Sequence, residues 1–531
     1  MKYFFAKILS LLALGGCGLY AQIPLTLTST LPASVSNNTK QFFRPVFNQQ
    51  GESCGNASGI GFAFTYEMDC ARNVSAGITA NQYPYCHTYH FLNGGSSNNG
   101  TSHMYVDALN IVRENGIPNV DDYGGFTNGF PTKWLSGYDL WYKAMQNRVD
   151  KIDTISMLDT DGLRKVKQWV FDHGNGSANG GVANFGCSAL GWQEGSIKSG
   201  VETGKTIMTS YGTSVSGDHG QTICGYNDSI RNDVNNDGKF TNNVDVNGDG
   251  KVDMADWEVG AFLVANSWGT GYFDGGFYYA PYRLFAMTMA QGGLMNSNRV
   301  CIMTVKTSYK PKMTLKTSIT HSQRSQIALS VGIAPDQAAT TPTKTRTYKH
   351  QFNYAGGAYP MCGQNLSTTI ELGLDVTDLL DSISGATQAK FFLIIDSKGG
   401  TGTVNSLSLL DYSSGAIPVE TKSTQTNVNI VAKTYVSVAY SASLVQSAKK
   451  PAGSPQVAVR RIRGIVQVQL PMKDGVRVSL FDITGRSLPV AISAASGGWT
   501  DIPRDVRPGM YVVDVRSASG VSWISKIKIL N

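Results

Sequence analysis

Charge is scarce in this chain: Asp, Glu, Lys and Arg make up 16% of its 531 residues. The 45 basic and 38 acidic side chains leave a net +7 spread over the whole length. That field is too weak to argue for a nucleic-acid partner. Past the N-terminus there is no apolar run long enough for a bilayer-spanning helix, so no membrane span is expected. Helical periodicity is also thin between residues 313 and 441. Glycine is plentiful instead, at 58 residues, which fits many turns and β structure. The length predicts several domains, at least one with a large core.

Residues 1–21 read as an export signal. Lys2 and Lys7 flank the start, and residues 8–14 are mostly apolar but too short to span a bilayer. Cleavage after Ala21 is the preferred site. The alternative is a lipoprotein signal, because Leu14-Gly15-Gly16-Cys17 resembles a lipobox. Without Cys17, seven cysteines remain: Cys54, Cys70, Cys86, Cys187, Cys224, Cys301 and Cys362. Export favours their pairing as disulfides, and an odd count leaves one thiol over, here assigned to Cys54.

Three segments carry the chemistry, in the order Ser53-Cys54-Gly55, Asp218-His219-Gly220 and Asn266-Ser267-Trp268-Gly269-Thr270-Gly271. Singly, each has a plainer reading: a half-cystine, a structural histidine, a turn with a buried tryptophan. Together they supply a nucleophile, a base and a group that orients the base. A thiol must become a thiolate to attack, and a helix N-terminus at Cys54, with Ser53 as N-cap, favours that charge. His219 is expected to form the ion pair and later to protonate the leaving amine.

These segments resemble those of papain-like cysteine peptidases. The run Gln221-Thr222-Ile223-Cys224-Gly225-Tyr226 extends the histidine match, and Tyr272 with Gly275-Gly276-Phe277-Tyr278 extends the asparagine match. The resemblance implies Cys54, His219 and Asn266 as catalytic residues, with a glutamine just upstream as oxyanion donor. Gln49 is favoured because Asn48-Gln49 resembles the family's Asn-Gln pair; Gln50 is the alternative. The Cys-Gly-Ser-Cys-Trp run of the family is absent. A rival alignment lays Cys54-Gly55 on the first Cys-Gly of that run, which puts Ala57 at the nucleophile position and makes the site dead. Residues 23–40 are much shorter than the inhibitory propeptide of such enzymes and read as extended.

Between His219 and Asn266 lies an insertion, residues 230–257. Asp245, Asn247, Asp249, Asp253 and Asp256 fall at positions one, three, five, nine and twelve of a loop with Gly250 at six, and Lys251 offers its carbonyl. This resembles a dockerin-type or EF-hand calcium loop. A second copy begins with Asp233, Asn235 and Asp237 but has Val244 at position twelve. The expected cofactor is structural calcium, bracing the strands that carry His219 and Asn266; no organic cofactor is expected.

Residues 40–310 are therefore read as an α+β papain-like catalytic domain. Alternating apolar runs at 327–331, 390–395 and 435–440 predict an all-β sandwich over 311–445, with a helix hint only at 374–383. Its first-ranked role is to pack against the enzyme or to space it. Lys449, Lys450, Pro451, Gly453 and Pro455 mark a linker at 446–458. A small C-terminal all-β sorting domain follows over 459–531. Its Leu480-Phe481-Asp482, Thr484-Gly485-Arg486 and Pro508-Gly509-Met510-Tyr511-Val512 elements resemble the type IX secretion sorting domain. The combined expectation is a secreted or surface-attached cysteine endopeptidase, exported through the periplasm of a Gram-negative bacterium by the type IX secretion machinery. Its substrates would be proteins or peptides. The alternative is an inactive peptidase-like surface adhesin; a transglutaminase-like acyltransferase fits less well, because Asn266 stands where Asp is wanted.

Overall fold

The computed structural model describes residues 22–441, apart from 296 and 384–387, and the backbone of the strands between 459 and 529. The expected signal at 1–21, the 446–458 linker and the 484–486 turn lie outside the described residues. By contacts the chain divides after Ala442. The described residues from 22 to 441 thus form one unit, with no break at 310.

The N-terminal part of this unit is built on a nine-stranded sheet. Its centre is the long strand Asp218–Arg231, flanked by Ala183–Ser188 and Val259–Ala265. Continuous apolar runs such as Val259–Ala265 are buried on both faces, which is why they do not alternate. Cys54 opens a helical run that continues to Arg72, with a π-helical stretch at Ala57–Phe64. Here the expected one-sided stripe gives way to a run buried all round from Cys54 to Asp69. Such π segments occur often at functional sites.

Residues 22–40 do not approach this helix start. They run along the helix Thr160–Asp172: Thr28 N donates to Gln168 Oε1 at 2.9 Å and Arg164 Nη2 to Thr28 O at 2.6 Å. Ser34–Ser36 then adds a short strand beside Asp218–Arg231. The extended reading of 23–40 needs that strand and a 3-10 turn at Asn37–Thr39 added.

Two further antiparallel sheets follow. One orders Thr369–Asp375, Met313–His321, Gly402–Asp411 and Val419–Lys422, with Val428–Asn429 beside Gly402–Asp411. The other orders Lys344–Thr347, Ile327–Ala334, Gln388–Ser397 and Lys433–Ser441. The helix hint at 374–383 resolves into the end of a strand and a 3-10 helix, Thr377–Ile383. Inward residues of both sheets share one apolar cluster with Phe91, Ile111, Trp134 and Trp141 of the N-terminal part. Polar contacts lock this seam: Asn115 Nδ2 donates to Gly373 O at 3.0 Å, Tyr138 N to Glu371 Oε1 at 2.7 Å, and Arg148 pairs with Asp375 in a buried ion pair.

None of the seven described cysteines is paired. This corrects the expected disulfides. Cys86, Cys224 and Cys301 pack as small apolar groups in one cluster, Cys187 in a second and Cys362 in a third; burial pushes their thiols up and keeps them protonated. In the second unit, the described strands form a three-stranded and a four-stranded antiparallel sheet, the latter ordered Ser487–Leu488, Val476–Asp482, Gly509–Ser517, Ser522–Ile529.

Ending the chain after Lys310 would expose Phe91, Trp134 and Trp141 and leave Arg148 without its carboxylate. Each large apolar side chain contributes about 2 kcal/mol on burial, against a whole-protein stability of about 5–15 kcal/mol. A 22–310 fragment is expected to show no cooperative thermal transition by circular dichroism. A soluble fragment with a sharp transition would contradict this account of the seam.

Candidate active site

Backbone pairing assembles the site. Gln49 N donates to Ser267 O at 2.7 Å and Gly269 N to Phe47 O at 3.0 Å, which ties the approach to Cys54 onto the segment after Asn266. His219 arrives on the next strand over, since Thr222 pairs with Ala265. The helix start then sits directly on the histidine strand. A Cβ on Gly220 would lie 2.9 Å from Gly55 Cα, and one on Gly55 would lie 2.7 Å from Thr101 O. Glycine at 220 permits the approach of helix to strand, and glycine at 55 lets residues 101–105 pack on the other side of the helix start.

His219 Nε2 lies 2.8 Å from Asn266 Oδ1. An amide oxygen only accepts, so the ring donates from Nε2 and keeps its Nδ1 lone pair free to take a proton. Asn266 Oδ1 also accepts from Ser267 N at 2.9 Å, which holds the amide in place. Trp268 stacks at 4.5 Å from the imidazole and Trp192 closes in at 6.1 Å. The Cys54 thiol contacts Asp218 O at 3.8 Å, the carbonyl immediately before His219. Asp218 is itself gripped by residues 102 and 103: Ser102 N donates to Oδ1 at 2.6 Å, and His103 Nδ1 lies 3.7 Å from Oδ2. Burial raises its pKa, but the His103 and Ser102 hydrogen bonds outweigh that and hold it below the ordinary carboxylate value.

The pair is closed off from water, with Cys54 2% and His219 3% exposed. Burial pushes the thiol up to about 12, only partly offset by the Gly220 and Gly55 backbone. Burial likewise lowers His219 to about 4, against the Asn266 hydrogen bond and the nearby Asp218 charge. Burial thus works against both charges of the expected resting ion pair. The physical reason is desolvation, which penalises both charges.

Other expectations are also revised. Ser53 sits at the N-cap position but makes no capping bond; its Oγ donates to Gln50 O at 2.7 Å instead. The Gln49 amide is held in place, with Oε1 accepting from Ser267 Oγ at 2.6 Å and Nε2 donating to Gly51 O at 2.9 Å. Gln50, the alternative donor, is exposed. Ala57 of the rival alignment is fully buried one turn inside the helix, whereas Cys54 opens it beside Asp218. Trp192, Ser102 and His103 were missed by motif reading, because nothing in their spacing links them to His219.

The insertion is anchored at the far end of the hairpin, where Arg231 pairs with Val259. Asp245 accepts from Gly248 N at 2.7 Å and Gly250 N at 2.9 Å, and Asp256 from Val246 N, Asn247 N and Asp253 N. Asn247 Oδ1, Asp249 Oδ1 and Asp253 Oδ1 each cap a backbone amide two residues on, at Asp249, Lys251 and Ala255. In the companion loop Asp233, Asn235 and Asp237 do the same. Its closing role falls to Glu258, not Val244: Glu258 accepts from Val234 N at 2.9 Å and Thr241 N at 3.0 Å, as Asp256 does for its own loop. Among the described residues, no three His, Cys, Asp or Glu side chains converge as a metal-ligand cluster. The donor set is nonetheless all oxygen and includes Asn side chains and backbone carbonyls, which suits a hard cation. No helix among the described residues is long and apolar enough to cross a membrane.

No family model and no curated protein matches this chain. Among solved structures it is similar to xylellain, a cysteine protease from Xylella fastidiosa, at 16% identity over 52% of this chain and 90% of that one, with a TM-score of 0.33. It is similar also to the bromelain protease from Ananas comosus solved with the E64 inhibitor, at 12% identity over 52% and 100% of the two chains and a TM-score of 0.33. A third is the Amb a 11 cysteine protease, a ragweed pollen allergen in its proform, at 13% identity over 52% and 66% of the two chains and a TM-score of 0.32. At TM-scores this low, function has to be read from the side chains of the site.

Acid stability tests the neutral imidazole. His219 is lowered to about 4, and the buried His87 and His90 to about 3, from 6.5. Below pH 6.5 the unfolded chain therefore binds more protons than the folded one, and stability falls as pH drops toward 4. Urea melts between pH 4.5 and 6 are expected to lose about 1.4 kcal/mol per pH unit for each such histidine. His219→Gln should remove one histidine's share of that slope. An unchanged slope would show that His219 is charged in the folded state.

Proposed function

We propose that this protein is a papain-like cysteine endopeptidase, and the observation that carries the reading is the 2.8 Å His219–Asn266 bond on a strand packed against the helix that Cys54 begins. Asn266 holds the imidazole with Nε2 protonated, so Nδ1 is the base. On substrate entry the Cys54 S–H bond breaks, its proton passes to His219 Nδ1, and Sγ bonds to the scissile carbonyl carbon. The C–N bond then breaks, the amine leaves with the proton from Nδ1, and a thioester to Cys54 remains. Water adds to the thioester, giving a proton to His219, and the acid leaves as the thiol re-forms. The backbone N–H of Cys54 and the free N–H of Gln49 Nε2 are the assigned oxyanion donors. A polar substrate also replaces lost hydration, which relieves the desolvation that works against both charges.

The closure of the pair also supports the second reading, an inactive peptidase-like adhesin. Thiol labelling separates the two. An epoxide or vinyl-sulfone trap is expected to modify Cys54 in the full chain, and Cys54→Ala to lower hydrolysis of a protein substrate on the order of 10⁴-fold. Peptide mapping that finds the trap on no residue, with no hydrolysis by the wild type, would favour the adhesin.

We assign structural calcium to Asp245, Asn247, Asp249, the Lys251 carbonyl, Asp253 and Asp256, and a second ion to Asp233, Asn235, Asp237 and Glu258. Bound calcium neutralises carboxylates that otherwise repel one another, and so orders the hairpin between the His219 and Asn266 strands. Chelation is expected to lower Tm by about 5 °C, with recovery on adding calcium back. No change in Tm would remove calcium from this account. The 459–531 region is proposed as the type IX sorting domain, which places the enzyme outside the cell or on its surface, acting on proteins or peptides.

A further inference from the structure

Residues 93–103 leave the helix Tyr85–Leu92, pass the start of the Cys54 helix and enter the helix Met104–Asn115. The middle of this strap packs on the segment just before Cys54. Glu52 N donates to Ser97 O at 2.8 Å, and a Cβ on Gly100 would lie 1.7 Å from Glu52 O. Its far end is fixed on Asp218 through Ser102 N. Its near end rests on the two-sheet region: a Cβ on Gly95 would lie 2.4 Å from Tyr359 Cε2, and one on Gly357 would lie 2.3 Å from Gly94 O.

The loop that supplies Tyr359 is rigidly held from below. Arg324 is fully buried. It donates Nε and Nη2 to Gly356 O at 3.0 and 2.6 Å, its backbone N donates to Tyr359 O at 2.9 Å, and its guanidinium lies 4.3 Å over Trp134. An unbroken set of contacts thus runs from the appended sheets to the edge of Cys54.

We propose that Tyr359 is a positioning residue for substrate: the appended sheets hold one wall of the cleft. This rests on the peptidase reading. A peptide crossing Cys54 lies between the strap on one side and the Trp192–Trp268 wall on the other. Cys54, His219 and Asn266 are tied together by the pairing of 47–49 with 267–269 and of Thr222 with Ala265, whereas Tyr359 backs the end of the strap away from Ser102. Without the ring, residues 94–100 lose their backing and substrate binding weakens, while the reacting groups stay in place.

Full-length Tyr359→Ala, Tyr359→Phe and wild type are compared on a fluorogenic peptide. Active sites are counted by the epoxide trap, and folding is checked by near-ultraviolet circular dichroism. Tyr359→Ala is expected to raise KM about fivefold or more, with kcat per titrated site within about twofold of wild type. Tyr359→Phe keeps the ring and should match wild type. If Tyr359→Ala does not fold, Gly357→Ala, which forces a side chain against Gly94 O at φ +79°, is expected to raise KM in the same way. An unchanged KM in the folded variant overturns the proposal, as does a drop in titrated sites at constant KM, since both mark a purely structural role. A wild type that neither hydrolyses peptides nor takes the label defeats the peptidase reading and this inference with it.

Discussion

Everything at the site depends on how closely a helix can approach a strand. Gly55 and Gly220 meet almost backbone to backbone, so the first residue of the helix comes beside the carbonyl that precedes His219. A methyl group on Gly220 would press on the Gly55 backbone at 2.9 Å and force helix and strand apart. The pairing of residues 47–49 with 267–269 sets the same distance from the other side. Positioning here comes from main chain and from missing side chains, which is stiffer than positioning by long polar groups.

Desolvation gives the site its electrostatic character. With Cys54 and His219 almost fully buried, neither charge is stabilised at rest, and the Asn266 hydrogen bond serves chiefly to select a tautomer. The Trp192 and Trp268 rings that exclude water from the imidazole act in the same direction. The Glu67–His173 pair, elsewhere in the N-terminal part, shows the opposite balance. Burial lowers His173, but the Glu67 carboxylate at 2.7 Å outweighs it and raises the imidazole.

Much of this was legible in the residues themselves. The short apolar runs at 221–226 and 261–265 marked buried strands, because a strand covered on both faces does not alternate; which strands pair is not set by period, and the grouping of Cys54, His219 and Asn266 came from the resemblance. Ser53 misled because a serine before a helix can bond either forward to the helix or back to its own turn, and residue type does not decide between them. The cysteines misled because an odd count in an export context speaks to compartment, whereas pairing depends on distance. Glu258 was invisible to motif spacing: it closes a loop that begins before the neighbouring loop, and only the three-dimensional path brings it there. The merging of the N-terminal part with the appended sheets was hidden for a similar reason, since Trp134 and Trp141 read equally well as the core of a lone domain.

A thiol enzyme normally faces a conflict over reducing agents, since conditions that keep its nucleophile free also unstitch its cross-links. Among the described residues this scaffold has no cross-links to lose. Reductant would leave the fold intact, because apolar packing and the buried polar contacts of the seam, not sulfur bridges, keep the described residues together.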